Sequence, residues 1–332
     1  MGNISRKKFF RTVGTIVAGG AITGVSAVVA SKSLNKDGPA AASGERPEAD
    51  AFVSPYKPTV VFTAQGGIDA FEHHDGRLYV AGAGLLTVMD DYGKTLSRLA
   101  IAPESVRDIA VDAEGIYLLR QASIAVYSHE GRPLREWEAC SSLSDYCSFA
   151  LAEDFVFVTD RDNNNICQYT RGGDFVRFID SPNRFIIPSP TFGITYANGK
   201  LYCSNSGRHQ VEIYSLKGEY LGKFGAAGSG QGYFCGCCNP VYLAATPTGE
   251  IITSEKGIPR ISCYAADGSF RSMLLDGKMQ GEGGTAADRV KIAGAKLFTA
   301  GADRVRVYEY DPQLASSGAC SGCGVDCRLR NA

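Results

Sequence analysis

From residue 58 onward, apolar and polar positions alternate in short runs, each closed by a turn that contains glycine. A side-chain period of two marks β-strands. One stretch reads Ile68-Asp69-Ala70-Phe71, Asp75-Gly76, Arg77-Leu78-Tyr79-Val80, Leu86-Thr87-Val88-Met89 and Tyr92-Gly93-Lys94. The next keeps the order: Ile109-Ala110-Val111, Glu114-Gly115, Ile116-Tyr117-Leu118, Ile124-Ala125-Val126-Tyr127 and Glu130-Gly131-Arg132. Four further units follow around Phe155-Val156-Phe157-Val158, Lys200-Leu201-Tyr202, Glu250-Ile251-Ile252 and Lys296-Leu297-Phe298. The period is about 38 to 50 residues, the spacing of a four-stranded propeller blade. Asp-Gly, Glu-Gly and Gly-Lys turns favour antiparallel hairpins over a parallel solenoid. The pattern predicts an all-β, six-bladed β-propeller over residues 58–311. The sixth unit ends after three strands, near Asp311. Thr59-Val60-Val61-Phe62-Thr63 is the strand expected to complete it and remove an exposed sheet edge.

The repeats resemble the NHL type of six-bladed propeller, a TolB-like architecture. The best match is Ser206-Gly207-Arg208-His209-Gln210-Val211-Glu212-Ile213-Tyr214, followed by Gly218-Glu219-Tyr220-Leu221-Gly222-Lys223-Phe224-Gly225. The resemblance implies the fold and leaves function open, because propellers host binding, scaffolding and catalysis alike.

Outside the repeats, the amino terminus carries Ser5-Arg6-Lys7-Lys8-Phe9-Phe10-Arg11 and then an uncharged run from Thr12 to Ala30. A basic segment, a mildly apolar segment and a small residue at the end fit an export signal. The pattern resembles a twin-arginine signal, with Lys7 standing where the second arginine belongs. An uncleaved membrane anchor is the other reading of residues 1–30. Residues 31–57 are rich in Ala, Gly, Ser, Pro and charge and read as a flexible linker; residues 312–332 read as a cysteine-rich tail. The expected location is therefore the periplasm or the outer face of the cytoplasmic membrane.

Net charge is −1 over 332 residues, which supplies no basic field and excludes a nucleic-acid partner. Eleven cysteines are an odd number, so at least one escapes intrachain disulfide pairing. The repeat register assigns most of them places. Cys203 and Cys263 fall on core strand positions, as does Cys167. Cys140 and Cys147 flank the connection between blades two and three, where a disulfide between them is one reading. Cys320, Cys323 and Cys327 lie in the tail.

Cys235, Cys237 and Cys238 fall together in Phe234-Cys235-Gly236-Cys237-Cys238-Asn239-Pro240, the connection between blades four and five. In a propeller this connection shares a face with the loops between strands two and three. That places it beside Ile187-Pro188-Ser189-Pro190-Thr191-Phe192, Ser206-Gly207-Arg208-His209 and Ser254-Glu255-Lys256-Gly257-Ile258-Pro259-Arg260. These loops are similar to those of a group of exported NHL-like propellers, and the likeness implies a shared site on this face.

Thiolates are soft ligands, and neighbouring cations lower thiol pKa values. The candidate site is thus Cys235, Cys237 and Cys238 as metal ligands, with Cys320, Cys323 and Cys327 as a second set. Arg208, His209, Asn239, Glu255, Lys256 and Arg260 surround them. An iron–sulfur cluster, zinc or copper is the expected cofactor, and a membrane or periplasmic redox protein the expected partner. Disulfide-stapled loops that recognise a protein or glycan are the alternative; they include a vicinal bond between Cys237 and Cys238. A hydrolase or lactonase using Glu255, Asp160 and Asn239 is a third, weaker reading. A multi-histidine zinc lyase is not expected: His73, His74 and His129 fall in hairpin turns on the opposite face, leaving His209. The leading expectation is a non-enzymatic propeller.

Overall fold

The computed structural model describes residues 52–64, 66–102, 104–280 and 285–317. The expected signal, most of the expected linker and the three tail cysteines lie outside the described residues.

The described chain forms six four-stranded antiparallel sheets. A first strand, β1 (Tyr56–Thr63), precedes the blades. Blade one is β2 (Ala70–His74), β3 (Arg77–Gly82), β4 (Leu85–Asp90) and β5 (Thr95–Ala100). Blade two is β6 (Asp108–Asp112), β7 (Gly115–Leu119), β8 (Ser123–Tyr127) and β9 (Pro133–Glu138). Blade three is β10 (Tyr146–Ala152), β11 (Phe155–Asp160), β12 (Asn165–Thr170) and β13 (Phe175–Ile179). Blade four is β14 (Ile194–Ala197), β15 (Lys200–Asn205), β16 (Gln210–Ser215) and β17 (Tyr220–Phe224). Blade five is β18 (Tyr242–Ala245), β19 (Ile251–Glu255), β20 (Arg260–Tyr264) and β21 (Phe270–Leu275). Blade six is β22 (Arg289–Ala293), β23 (Lys296–Ala300) and β24 (Arg304–Tyr310), with β1 as its outer strand.

The ring closes as the repeat count predicts. β1 pairs with β24 from Tyr56↔Tyr310 to Thr63↔Arg304, with a register shift between Pro58 and Val60. The strand begins at Tyr56, inside the segment read as linker. Tyr56 is buried, and Ser54 Oγ donates to the Leu274 carbonyl at 2.6 Å. Anchored side chains therefore move the propeller's start back from residue 58. A short helix, α1 (Pro312–Ser317), opens the segment read as tail.

Six apolar clusters hold the ring together, one between each pair of adjacent blades. Each sheet therefore buries both faces, which explains why β7 is buried along its whole length. Burying a Leu, Ile or Phe in such a seam contributes about 1.5–3 kcal/mol. Cys203 and Cys167 are fully buried in two seams, as their register predicts, whereas Cys263 is only half-buried at the edge of a third. Trp137 is half-buried against the seam between blades two and three. Gly173 must lack a side chain to lie on its indole: φ is +102° and a Cβ would come within 2.8 Å of Trp137 Cδ2.

Candidate functional site

The loop between β17 and β18 is fixed at both ends and open in the middle. At its start Phe234 is fully buried between blades four and five, 5.8 Å from the Tyr264 ring. Its amide donates to the Ala226 carbonyl at 2.8 Å. Gly225 makes room for it, with φ +88° and a virtual Cβ only 2.3 Å from the Phe234 ring. At the other end the Asn239–Pro240 peptide is cis and both residues are buried.

Asn239 ties three top-face segments together. Its backbone N–H donates to the Ser206 carbonyl at 3.2 Å. Its Oδ1 accepts the Lys256 amide at 2.9 Å, and its Nδ2 donates to the carbonyls of Lys256, at 2.9 Å, and Cys235. Buried amide groups need such partners, so Asn239 acts as a structural clamp.

Glu255 and Arg260 form a second clamp. Glu255 Oε2 accepts from Arg260 Nη2 at 2.7 Å and from the Cys235 amide at 3.3 Å, with both side chains buried. Burial pushes the Glu255 carboxyl up, against the opposing pull of Arg260. The guanidinium also donates to the carbonyls of Ser229, Gly230 and Tyr233 at 3.0, 3.1 and 2.8 Å. Arg260 thus holds the loop from below, its donors committed to Glu255 and the three carbonyls.

What these clamps present is a pair of sulfurs. Cys237 is exposed and Cys238 is buried, and their Sγ atoms lie 3.1 Å apart. Ser189, in the connection between blades three and four, donates its hydroxyl to Cys238 Sγ at 3.5 Å. Lys256 Nζ in turn donates to Ser189 Oγ at 3.0 Å. Burial raises the Cys238 thiol, but Lys256, Ser189 and Cys237 outweigh it and bring it below the ordinary value. Cys237 is raised, first by its hydrogen bond with Cys238 and by that group's charge. The two thiols titrate as one pair, whose first ionisation Lys256 and Ser189 favour and whose second the existing charge opposes.

Not every expected site residue joins this pair. Arg208 is exposed and its Nε donates to the Arg184 carbonyl at 3.1 Å. His209 sits in the left-handed region, φ +57°, and ends the 3-10 turn Ser206–Arg208. Cys235 turns its amide to Glu255. Among the described residues, no group of three or more His, Cys, Asp or Glu is arranged to hold a metal ion. Asp160 is buried as a turn brace, accepting the Asp145 amide at 3.1 Å and Asn163 Nδ2 at 2.8 Å. His73 and His74 end β2 at the first hairpin, and His73 Nε2 is 2.9 Å from Asp91. Ser189 lies in the 187–192 segment expected on this face, but it is not among the expected site residues: nothing in a lone hydroxyl between Pro188 and Pro190 encodes its contacts to Cys238 and Lys256.

The Cys140–Cys147 pairing is not what the fold brings together. Cys147 packs on the blade-four side of blade three and donates to the Asp145 carbonyl at 3.7 Å. Its thiol is pushed up to about 12 by burial and by Asp145. Cys140 packs on the blade-two side, its sulfur 3.5 Å from that of Cys167. The sheet of blade three separates the two.

The inner strands β2, β6, β10, β14, β18 and β22 line a central cavity of about 240 Å³. Its charges are largely spent internally: Lys291 Nζ meets Glu72 at 2.6 Å, and Arg289 lies over the Tyr242 ring at 4.8 Å.

No protein-family model matches this chain, and no curated protein matches it. Solved structures do. Virginiamycin B lyase from Staphylococcus aureus superposes with a TM-score of 0.54 at 13% identity, covering 76% of this chain and 99% of that one. A streptogramin B lyase gives 0.55 at 12% identity, covering 76% and 97%. The Neurospora crassa Pan2 WD40 domain gives 0.51 at 10% identity, covering 77% and 95%. Likeness at such identities extends to architecture alone: the chain is a β-propeller, and its own six sheets make it six-bladed.

Proposed function

We propose that this chain is an exported propeller whose blade-four-to-five loop is a thiol redox site, the dithiol of Cys237 and Cys238. Its partner is a membrane or periplasmic redox protein that carries a disulfide. The observation that supports this reading is the 3.1 Å sulfur contact beside the Lys256–Ser189 relay. Cys237, exposed, attacks the partner's disulfide as thiolate and releases one partner sulfur; Cys238, 3.1 Å behind it and beside the Lys256–Ser189 relay, then attacks Cys237 and releases the other. In the exchange the two thiols form one S–S bond, the partner's disulfide is reduced to two thiols, and both protons pass to it. The basic, then apolar, amino-terminal segment supports export, into a compartment where such chemistry operates.

The test is metal analysis and thiol titration on anaerobically purified full-length protein. The expected result is no stoichiometric iron, zinc or copper, and a bond between Cys237 and Cys238, located by peptide mapping, that forms on mild oxidation and opens with a dithiol reductant. Cys237→Ser should abolish that cycle. Stoichiometric metal lost in Cys237→Ser would instead favour a metal or iron–sulfur centre, with Cys235 or the tail cysteines completing the ligand set. Thiols that resist both oxidation and metal would leave a recognition module for a protein or glycan.

A further inference from the structure

We infer that Cys140 and Cys167 form a disulfide that pins the connection between blades two and three onto blade three. This pair is independent of the Cys237–Cys238 loop.

Three observations meet here. The two sulfurs are 3.5 Å apart. The backbone that carries Cys140 is held in place, because its amide donates to the Tyr169 hydroxyl at 3.0 Å. Tyr169 lies two residues beyond Cys167 on β12, so both side chains stand on the same face. Ala139 and Cys140 also pack into the seam that contains Cys167. A disulfide needs the sulfurs to close from 3.5 Å to about 2.05 Å.

The third observation comes from blade four. Cys167 faces Val158 on its neighbouring strand as Glu212 faces Cys203. Glu212 is buried and anchors the connection entering its blade, accepting from Ser181 Oγ at 3.0 Å and Asn183 Nδ2 at 3.4 Å. The equivalent position in blade three carries a thiol, and the residue above it is another thiol. The blade-three anchor is then covalent where the blade-four anchor is polar.

The bond forms by exchange with a small-molecule or protein disulfide, R–S–S–R. Cys140, the more exposed thiol, attacks as thiolate, forms Cys140–S–S–R and releases R–S⁻. Cys167 then attacks the Cys140 sulfur and expels the second R–S⁻. Both protein protons end on R–SH, so two thiols are oxidised and one disulfide is reduced. Burial, and next the neighbouring Cys140, raise the Cys167 thiol, so it is a poor first nucleophile and attacks only once the mixed disulfide at Cys140 makes the step intramolecular.

The test uses the full chain, as wild type and as Cys237→Ser/Cys238→Ser so that loop chemistry is read separately. Each is equilibrated with oxidised glutathione, denatured, alkylated and mapped without reduction. The expected product is one cross-linked peptide pair containing Cys140 and Cys167, with Cys147 and Cys203 alkylated. Oxidation should raise the thermal midpoint, and Cys140→Ser should abolish that rise and leave Cys167 alkylated. Because substituting buried Cys167 disturbs the core whether or not a bond forms, Cys140→Ser carries the comparison. Cys140 found joined to Cys147, or Cys140 and Cys167 both alkylated after full oxidation, overturns the inference.

Discussion

Lys256 donates its ammonium proton to the hydroxyl of Ser189 at 3.0 Å, and that hydroxyl gives its own proton to Cys238. The relay joins two connections far apart in sequence and favours a thiolate at the buried sulfur. Removing the cation should therefore raise the Cys238 pKa. In Lys256→Met the pH profile of alkylation moves to higher pH, and the rate at neutral pH falls severalfold, since the thiolate is the nucleophile. Arg208→Gln should leave the profile where it is, because Arg208 is spent on the Arg184 carbonyl. Equal shifts in both variants would mean that the field of the whole face, not the relay, sets the pKa.

Beneath the loop, Arg260 is committed to Glu255 and to three carbonyls. Arg260→Met leaves a buried carboxylate without its cation and should cost about 3–5 kcal/mol in denaturant unfolding. Glu255 also gives a pH signature. Its folded pKa is raised above the ordinary 4.5, so the protonated form is the one that favours folding. That contribution is fully present below 4.5 and is lost as pH rises through the folded value. Glu255→Gln should flatten the stability–pH curve in that window, and an unchanged slope would assign it to other groups.

The repeats made the ring legible because alternation, hairpin turns and blade count are local or periodic signals. Cys203 and Cys167 could be placed in seams for the same reason. The sulfur partners could not. Cys140 and Cys147 are close in sequence, yet opposite faces of blade three send them toward Cys167 and Cys203 respectively. Arg260 read as a cation beside thiols, but a buried guanidinium needs an anion and acceptors, and Glu255 with the 229–233 carbonyls supplies them. Asn239 and Ser189 work through contacts to Lys256, 17 and 67 residues away respectively, which no spacing encodes.

Asn239 is the cheapest place to loosen the site without touching a sulfur. Asn239→Ala leaves the Lys256 amide and two carbonyls without their partner and should cost about 1–3 kcal/mol. Hydrogen exchange should accelerate at the amides of 235–239 and at Lys256 while the strands of blades one to three stay protected. Global acceleration would show that the clamp supports the whole ring.

The closing strand offers the sharpest test of the fold. Tyr56 is 2% exposed and fills the seam between blades five and six, whereas Val61, on the same strand, is 56% exposed. Tyr56→Ala should cost about 3–5 kcal/mol, as expected for a large buried ring. Val61→Thr should stay within about 0.5 kcal/mol. Had the ring closed with a strand starting at Thr59, Tyr56 would sit in linker and its loss would be silent. Equilibrium unfolding of the two variants decides between these registers, and deletion through Thr63 should remove the cooperative transition, because it strips β24 of its outer partner and bares a sheet edge.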